Sequence, residues 1–494
     1  FTVWGVGCKF EDELTDWYSK DDITEYFSTL DWSDIAVICH NTPFDAYILT
    51  QYYNVKPAYY YDTAAMSRGL YPGQSAKLKD VAERLFPNDP TLRKGDELIS
   101  AKGIVDLPPS IEDDIARYCR QDVILTKEIF DTLINRYPQK ELDLINLTTK
   151  MFVEPKLNLD INMLEKHRDK HKQDALDKIE NSGTTRDVLA SNKKFSEHLE
   201  SLDIVVPTKK SPTTGKLIPA FSKNDIAYKQ MCTQYPEYLH VWEAREAVKS
   251  RIEETRAERF INSINKDKTF SAPLRYYAAH TGRFGGTEKI NLQNLPRGSA
   301  LRTALCSPPN QWLFIGDLSN IEVRMLAWLA KEADLIDAFT EGRDVYCEFA
   351  SEIYGRPITK ANKLERYVGK TAILGLGYGM GWERFKYTLL TGSPSVDVTE
   401  STAKSIVEIY RASYPNITRL WALCKQLLFS MKDQYQTGSK YGPLTVGRNS
   451  LKLPNDMYLQ YPNLTYAPAD GGFIYTSYKR TERIYGPKLT ENII

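Results

Sequence analysis

This chain carries no net charge: lysine plus arginine total 64, and so do aspartate plus glutamate. Net charge therefore gives no hint of a nucleic-acid partner, which would have to be met by local basic surfaces. The sequence also lacks any apolar run approaching the ~18 to 20 residues that cross a bilayer. Its first residues, FTVWGVGCKF, offer neither a basic start nor a cleavage site. No membrane partner is expected, and the expected setting is the cytoplasm. Paired cysteines are missing too. Cys8, Cys39, Cys119, Cys232, Cys306, Cys347 and Cys424 are scattered, odd in number and never spaced as CxxC, which argues against a disulfide framework and a zinc ribbon. No internal repeat and no low-complexity segment breaks the pattern.

What is present is ordinary globular composition, 42% hydrophobic and 26% charged over 494 residues, more than one core usually spans. Roughly two to four domains or subdomains are expected. Residues 1–135 alternate strands (TVWGVGCKF, IAVICH) and helices (ITEYFSTL, PFDAYILTQYY, and the long IEDDIARYCRQDVILTKEIFDTLI), an α/β pattern. From about 140 to 265 the pattern turns to long charged helices, MLEKHRDKHKQDALDKIENSG and EAREAVKSRIEETRAERFINSI, interrupted by the basic loop PTKKSPTTGK. This predicts a protruding helical element with a mobile basic tip. Residues 266–330 return to strand-like pieces ending in QWLFIGD. Residues 331–430 read as helical, and 436–480 as short strands (LTVGR, LKLP, MYLQY, GFIYTSY). The final RIYGPKLTENII reads as the first turn of a helix capped by TEN.

In the first module, HNTPFDAYIL places Asn41 and Asp45 directly after a buried strand, and ARYCRQDV places Tyr118 and Asp122 one helical turn apart on one face. Carboxylates at a strand end and on a nearby helix suit a two-metal phosphodiester hydrolase, in which they fix the ions that activate water and stabilise the leaving oxygen. The Tyr118 hydroxyl would orient that water. Further on, LRYYAAHTGRFGGTEKINLQNLP offers Arg283 and the amides of Gln293 and Asn294 among glycines. These groups suit the minor groove, whose acceptors are common to all base pairs.

The stretch IGDLSNIEVRMLAWLA sets Asp317 at the end of an apolar strand, with Glu322 and a long apolar helix after it. One carboxylate cannot hold two metals, so Asp317 needs a partner. In ITKANKLERYVGKTAILGLGYGMG, Lys363, Arg366, Lys370 and Leu374 fall within about 80° of helical arc, with Lys360 and Tyr378 at its margins. That cationic stripe reads as a triphosphate-binding surface. Two other patterns read as decoys. His167 and His171 have the i,i+4 spacing of a zinc helix but no adjacent catalytic Glu. GLGYGMG has no strand before it to make a dinucleotide-binding βαβ unit.

At these residues the chain resembles the A-family DNA polymerases, and among them the compact phage-encoded members. GDLSNIEVRMLAWLA is similar to motif A of that family, and RYVGKTAILGLGYG to motif B. TGRFGGTEKINLQNLP resembles the segment before motif A, while NTPFD and YCRQD resemble motifs of the family's 3′–5′ exonuclease. The resemblance implies an α/β and α+β multidomain fold: an RNase H-like exonuclease domain (1–135), thumb and connecting helices (136–265), first palm part (266–330), fingers (331–435) and second palm part (436–494). It implies a DNA polymerase with proofreading, acting on primer–template DNA and deoxynucleoside triphosphates, with accessory replication proteins as partners and the host cytoplasm as setting. Two Mg²⁺ per active site are implied, with Mn²⁺ as an alternative.

By the same resemblance, Asp317 and the Leu318 carbonyl would bind the polymerase metals, and Glu322 would crowd the 2′ position of the sugar. Arg366 and Lys370 would hold the triphosphate, and Tyr378 would stack near the templating base. Arg283, Gln293 and Asn294 would track the minor groove. Asp45 and Asp122 would hold exonuclease metals. Leu374 stands where most members carry Phe or Tyr beneath the sugar, and Tyr346 where many carry a phosphate-contacting His. The His-Asp-Glu and Asp-x-Glu motifs of the family are not in the sequence. The expectation is therefore that both extreme ends lie outside it, Asp317 awaiting a carboxylate beyond Ile494, and Asp45 with Asp122 awaiting one upstream of Phe1. Two rival readings are a 3′–5′ exonuclease with a degenerate polymerase body, and a non-catalytic DNA-binding scaffold.

Overall fold

The computed structural model describes the chain apart from residues 1, 96–100, 102, 212–214, 223–224, 251, 471 and 478–479. It divides into two compact units, one made of Phe1–Glu154, Leu274–Gly285 and Ile315–Ile494, the other of Pro155–Pro273 and Gly286–Phe314.

The first unit opens with an antiparallel hairpin of strands Gly5–Cys8 and Asp16–Ser19. A parallel pair follows, Ala36–Cys39 beside Tyr59–Asp62, with helix Thr42–Tyr52 as the crossover between them. A crossover is what parallel pairing requires, and it leaves the residues just after both strands at one edge. The 26-residue helix Pro109–Ile134 starts on a proline, whose missing N–H costs nothing in a first turn, and buries Leu125, Ile129 and Leu133 at four-residue steps.

Residues 315–494 of this unit hold the largest core. Helices Ile321–Ala330, Val345–Tyr354, Lys363–Leu376, Trp382–Thr391, Glu400–Ser413 and Pro415–Lys432 supply Leu326, Phe349, Ile373, Phe385, Ile406 and Leu428 to it. Gly369 lets two of these helices touch: a Cβ there would collide with the Tyr346 carbonyl. The core continues into a four-stranded antiparallel sheet, Lys440–Tyr441, Leu444–Gly447, Ser450–Lys452 and Tyr458–Gln460 in that order, and into a three-stranded one built on Gly472–Ser477.

In the second unit, helix Ile161–Asn181 packs against Leu239–Lys249 and Ile252–Asn262. A separate small core gathers Phe195, Phe221, Tyr228 and Trp242. The loop PTKKSPTTGK is a hairpin of Thr208–Lys210 with Leu217–Pro219, and its residues 212–214 lie outside the described residues.

Three local expectations are corrected. EAREAVKSRIEETRAERFINSI is two helices, because Ser250 leaves the helical region at φ −112, ψ 65. Lys249 closes the first helix while Glu253 and Glu254 open the second, the charge order that two helix dipoles favour. The TEN triplet does not cap the last helix: Gly486–Ile493 begins earlier, with Pro487 in its first turn, and Thr490 and Asn492 are buried within it. QWLFIGD takes no ladder partner among the described residues. Trp312 is 88% and Phe314 92% exposed, since alternation marks a segment suited to a sheet but only a neighbour's N–H and C=O groups make it a strand.

A buried polar knot ties residues 1–154 to the later segments of the same unit. The Tyr276 hydroxyl donates to Glu141 Oε2 at 2.6 Å, and Asn455 Nδ2 donates to Glu141 Oε1 at 2.9 Å. Arg68 Nε donates to the Tyr276 carbonyl at 3.2 Å, and Gln460 Nε2 to the Leu70 carbonyl at 2.6 Å. Truncating Glu141 to Ala strands the buried Tyr276 hydroxyl, at about 1–3 kcal/mol for an unsatisfied group, while the exposed Asn455 amide turns to water. Urea unfolding is expected to register a loss of about 1–3 kcal/mol for Glu141→Ala and a smaller loss for Glu141→Gln, which keeps one acceptor oxygen.

Candidate active sites and nucleic-acid interface

At the edge of the parallel pair, Asn41 adopts the left-handed conformation (φ 72), which Asn tolerates, and turns the chain from strand into helix so that Asp45 falls in its first turn. The Asn41 N–H donates to Asp62 Oδ1 at 3.0 Å, and the Ala64 N–H donates to the same oxygen at 2.9 Å. Asp62 ends the second parallel strand opposite Cys39 and is buried, with an Arg68 nitrogen 3.8 Å away. The surrounding protein desolvates the Asp45 carboxyl, and the negative charges of Asp62 and Asp122 add to the effect, pushing it up to about 6. Asp62 is the residue that sequence reasoning missed. YYYDT looks like a helix cap, which it is, but a carboxylate ending the second of two parallel strands was the available signal.

Helix Pro109–Ile134 carries Tyr118 and Asp122 one turn apart, and Lys94 bridges them, hydrogen-bonding Asp122 Oδ2 and lying 4.5 Å from the centre of the Tyr118 ring. The other Asp122 oxygen, Oδ1, is buried without a hydrogen-bond partner. An orphaned carboxylate oxygen beside a second, charge-repelled carboxylate fits a divalent cation. Among the described residues, no three His, Cys, Asp or Glu side chains are gathered into a metal-holding group.

The second constellation lies in residues 315–494. Asp317 and Leu318 stand on the exposed segment before helix Ile321–Ala330, and Asn320 takes the left-handed conformation (φ 55) that starts that helix, with Glu322 exposed in its first turn. Arg324 Nε braces that turn by donating to the Ser319 carbonyl at 3.0 Å. Helix Lys363–Leu376 carries the cationic face. Lys370 is exposed on it, Leu374 is half-buried against the core, and Tyr378 follows just after its end.

Arg366 is not simply offered to solvent. Its Nε and Nη2 donate to Asp344 Oδ2 at 3.0 and 2.9 Å, and its guanidinium lies 5.3 Å from the centre of the Tyr346 ring. Tyr346 is buried and donates its hydroxyl to Asn320 Oδ1 at 2.7 Å, linking the cationic helix to the turn that follows Asp317. Burial pushes the Tyr378 hydroxyl up to about 12, with the Glu322 charge raising it further and Arg283 opposing. Glu322, Tyr378 and Arg283, distant in sequence, therefore share one electrostatic neighbourhood.

Gln293 and Asn294 sit exposed on the short turn Leu292–Asn294 of the second unit, whereas Arg283 belongs to the first. Beside that turn, a cleft of about 450 Å³ has an apolar floor of Ile252, Phe260, Ile290 and Leu295 and is lined besides by Thr255, Arg256, Arg259, Lys289 and Asn291, with Arg259 Nη1 donating to the Lys289 carbonyl at 3.2 Å. These cations escaped sequence reading because the acids interspersed in RIEETRAERF make the helix look like a solvated face. Of the decoys, His167 pairs with Glu253 at 3.2 Å beside His171 and joins no metal-holding group among the described residues. GLGYGMG is a helix end, where Gly377 gives Leu326 and Tyr410 room to approach.

A family model described as DNA polymerase family A matches residues 159–437, and one described as 3′–5′ exonuclease matches residues 13–137. DNA polymerase I of Helicobacter pylori is 26% identical over 224 residues, covering 44% of this chain and 23% of that protein. The thermostable DNA polymerase I of Thermus aquaticus is 34% identical over 149 residues, 29% of this chain and 17% of that protein. The DNA polymerase of Escherichia phage T5 is 27% identical over 237 residues, 44% of this chain and 27% of that protein. The chain thus matches about a quarter or less of the length of these relatives. Its fold is similar to that of the POL domain of Pol1 from M. smegmatis, solved in complex with DNA primer-template and dNTP. The TM-score is 0.59 at 20% identity, over 88% of this chain and 72% of that one.

The Asp344–Arg366 pair makes a pH test. Burial alone would raise the Asp344 carboxyl, but the Arg366 guanidinium and the N–H groups of Cys347 and Tyr346 outweigh it and hold the carboxyl below its ordinary range. A depressed carboxyl contributes stability that is present above the ordinary carboxylate pKa and is lost as pH falls through the folded value. Asp344→Ala, which removes a helix cap and this pair, is expected to cost about 1–2 kcal/mol at pH 7. That difference should shrink in urea titrations carried toward pH 3, and a pH-independent difference would assign it to packing alone.

Proposed function

Because this chain belongs to DNA polymerase family A, we propose that it takes part in template-directed DNA synthesis, adding deoxynucleotides to a primer 3′ end, with residues 1–135 removing misplaced nucleotides from that end. The observation that carries the reading is the cationic helix Lys363–Leu376 tied through Arg366 and Tyr346 to the turn that follows Asp317. In this reading residues 136–265 serve as thumb and connecting helices, 331–435 as fingers, and 266–330 with 436–494 as palm.

The primer 3′-hydroxyl gives up its proton and attacks the α-phosphate in line, the α–β bond breaks and pyrophosphate leaves, and the positive side chains act on the charge that develops on it. Arg366 and Lys370 clamp the triphosphate. The Asp344 bond keeps the Arg366 guanidinium oriented along the helix face until a phosphate offers it a second anionic partner. Glu322, exposed one turn after Asp317, meets the sugar at its 2′ position and disfavours ribonucleotides, and Tyr378 stacks near the templating base. Leu374 presents an aliphatic surface to the sugar, and Tyr346 acts from behind Arg366. Arg283, Gln293 and Asn294 follow the minor groove, whose acceptors need no sequence choice.

Asp317 and the Leu318 carbonyl would hold Mg²⁺ for synthesis, and Asp45 and Asp122 would hold it for 3′ digestion, where Tyr118 orients the attacking water. Bound divalent ions supply Lewis-acid charge to attacking and leaving oxygens. A role for accessory proteins belongs to the same proposal. Among the described residues no helix is long and apolar enough to cross a membrane.

In the intact protein, Asp317→Asn is expected to abolish primer extension and spare 3′ digestion, and Asp45→Ala to do the reverse. Unchanged extension by Asp317→Asn would remove Asp317 from the active site, and neither activity in the unaltered protein with Mg²⁺ would leave a DNA-binding scaffold. Replacing Arg256 and Arg259 together by Ala should weaken primer–template binding without sequence preference. The slope of log affinity against log salt should then fall by roughly one for each phosphate that is no longer neutralised.

A further inference from the structure

Lys94 has no part in the chemistry assigned so far, yet its position is built. Gln121 Nε2, one residue before Asp122, donates to the Thr91 carbonyl at 2.8 Å and to the Arg93 carbonyl at 3.3 Å, fastening the strand of chain before Lys94 to helix Pro109–Ile134. Arg93 in turn donates to the Phe86 and Pro87 carbonyls, each at 2.8 Å. The ammonium delivered by this scaffold bonds Asp122 Oδ2 and lies over the Tyr118 ring, with both partners of the ion pair about three-quarters covered, at 23% and 24% exposure. Asp122 Oδ1 is left buried and unpartnered, and Asp45 lies within electrostatic reach of Asp122.

We propose that Lys94 is the resident counter-cation of the 3′-digesting site: it neutralises Asp122 while no divalent ion is bound, and competes with that ion for the carboxylate. The inference rests on the reading of Asp45 and Asp122 as metal-holding residues. Physically, a lone pair of carboxylates in a partly covered site repels itself, and a fixed ammonium relieves that repulsion without the double charge that chemistry needs. A divalent ion entering between the carboxylates must share or displace the ammonium, so the lysine raises the metal concentration at which this site fills. Its hydrogen bond also orients Asp122, holding Oδ2 on the ammonium and leaving Oδ1 buried and open, which makes Lys94 a positioning residue rather than a catalytic one.

The test is Mn²⁺ binding to the intact protein, followed by electron paramagnetic resonance of the free ion. Lys94→Met removes the competitor and nearly preserves shape, so Mn²⁺ should bind the exonuclease site tighter by roughly two- to fivefold, the equivalent of a partly exposed ion pair. Lys94→Arg keeps the charge and should bind Mn²⁺ as the unaltered protein does. In an Asp122→Asn background the Lys94→Met effect should vanish, because the shared carboxylate is gone. Primer extension, which does not use this site, reports that each variant is folded. Equal or weaker Mn²⁺ binding by Lys94→Met, or an unchanged effect in the Asp122→Asn background, overturns the proposal. Retained 3′ digestion by Asp45→Ala would instead overturn the underlying reading of the site, so the two failures are distinguishable.

Discussion

A carboxylate taken partly out of water needs a compensating charge, and in this protein a cation stands beside a carboxylate in each constellation. Lys94 stands against Asp122, Arg68 near Asp62, and Arg366 against Asp344. The Lys94–Asp122 and Arg366–Asp344 pairs are partly covered, whereas Asp62 is buried and also accepts two backbone N–H groups, so that the cation is not its only support. The placement of these cations decides which carboxylate oxygens remain open. Asp122 keeps one buried oxygen without a partner, whereas both Oδ1 and Oδ2 of Asp344 are engaged, by N–H groups and by the guanidinium. The first arrangement suits a residue meant to receive a cation, the second one meant to aim a neighbouring arginine.

Backbone packing sets the frame for these charges. Parallel pairing of Ala36–Cys39 with Tyr59–Asp62 brings two strand ends to one edge, and the helix between them returns Asp45 to that edge. Gly369 permits the close approach of two helices that lets Arg366 reach both Asp344 and the Tyr346 ring. The Glu141 knot then fastens the first 154 residues to Tyr276 and Asn455, so the exonuclease-like module and the segment carrying Arg283 share one compact unit. Modules joined by a satisfied buried polar network are held in one register, since any slip would leave several groups unpaired together.

Much of this was legible in the sequence, and the legible part has a common character. Helix Pro109–Ile134 with Tyr118 and Asp122 on one face, the cationic stripe of Lys363–Leu376, and the turn from strand to helix at Asn41 are all local periodicity, which side-chain spacing encodes directly. What misled was equally local. The alternation of QWLFIGD predicts a strand, but the strand state belongs to a pair of segments, and here no partner is present among the described residues. The acids of RIEETRAERF hid the basic lining of a cleft, because a helix projection does not show which loop will cover one face.

By itself, then, the sequence determined the order of the motifs, the helices that carry them and the family they belong to, because hydrophobic periodicity and residue spacing act over a turn or two of chain. Tertiary structure alone decided the pairings: Lys94 with Asp122 across 28 residues, Arg366 with Asp344 across 22, and Glu141 with Tyr276 across 135. No local rule selects one cation from the 64 lysines and arginines for a given carboxylate. That choice is made when the cores close, and it determines which charges are compensated within the protein and which carboxylate oxygens are left without a partner.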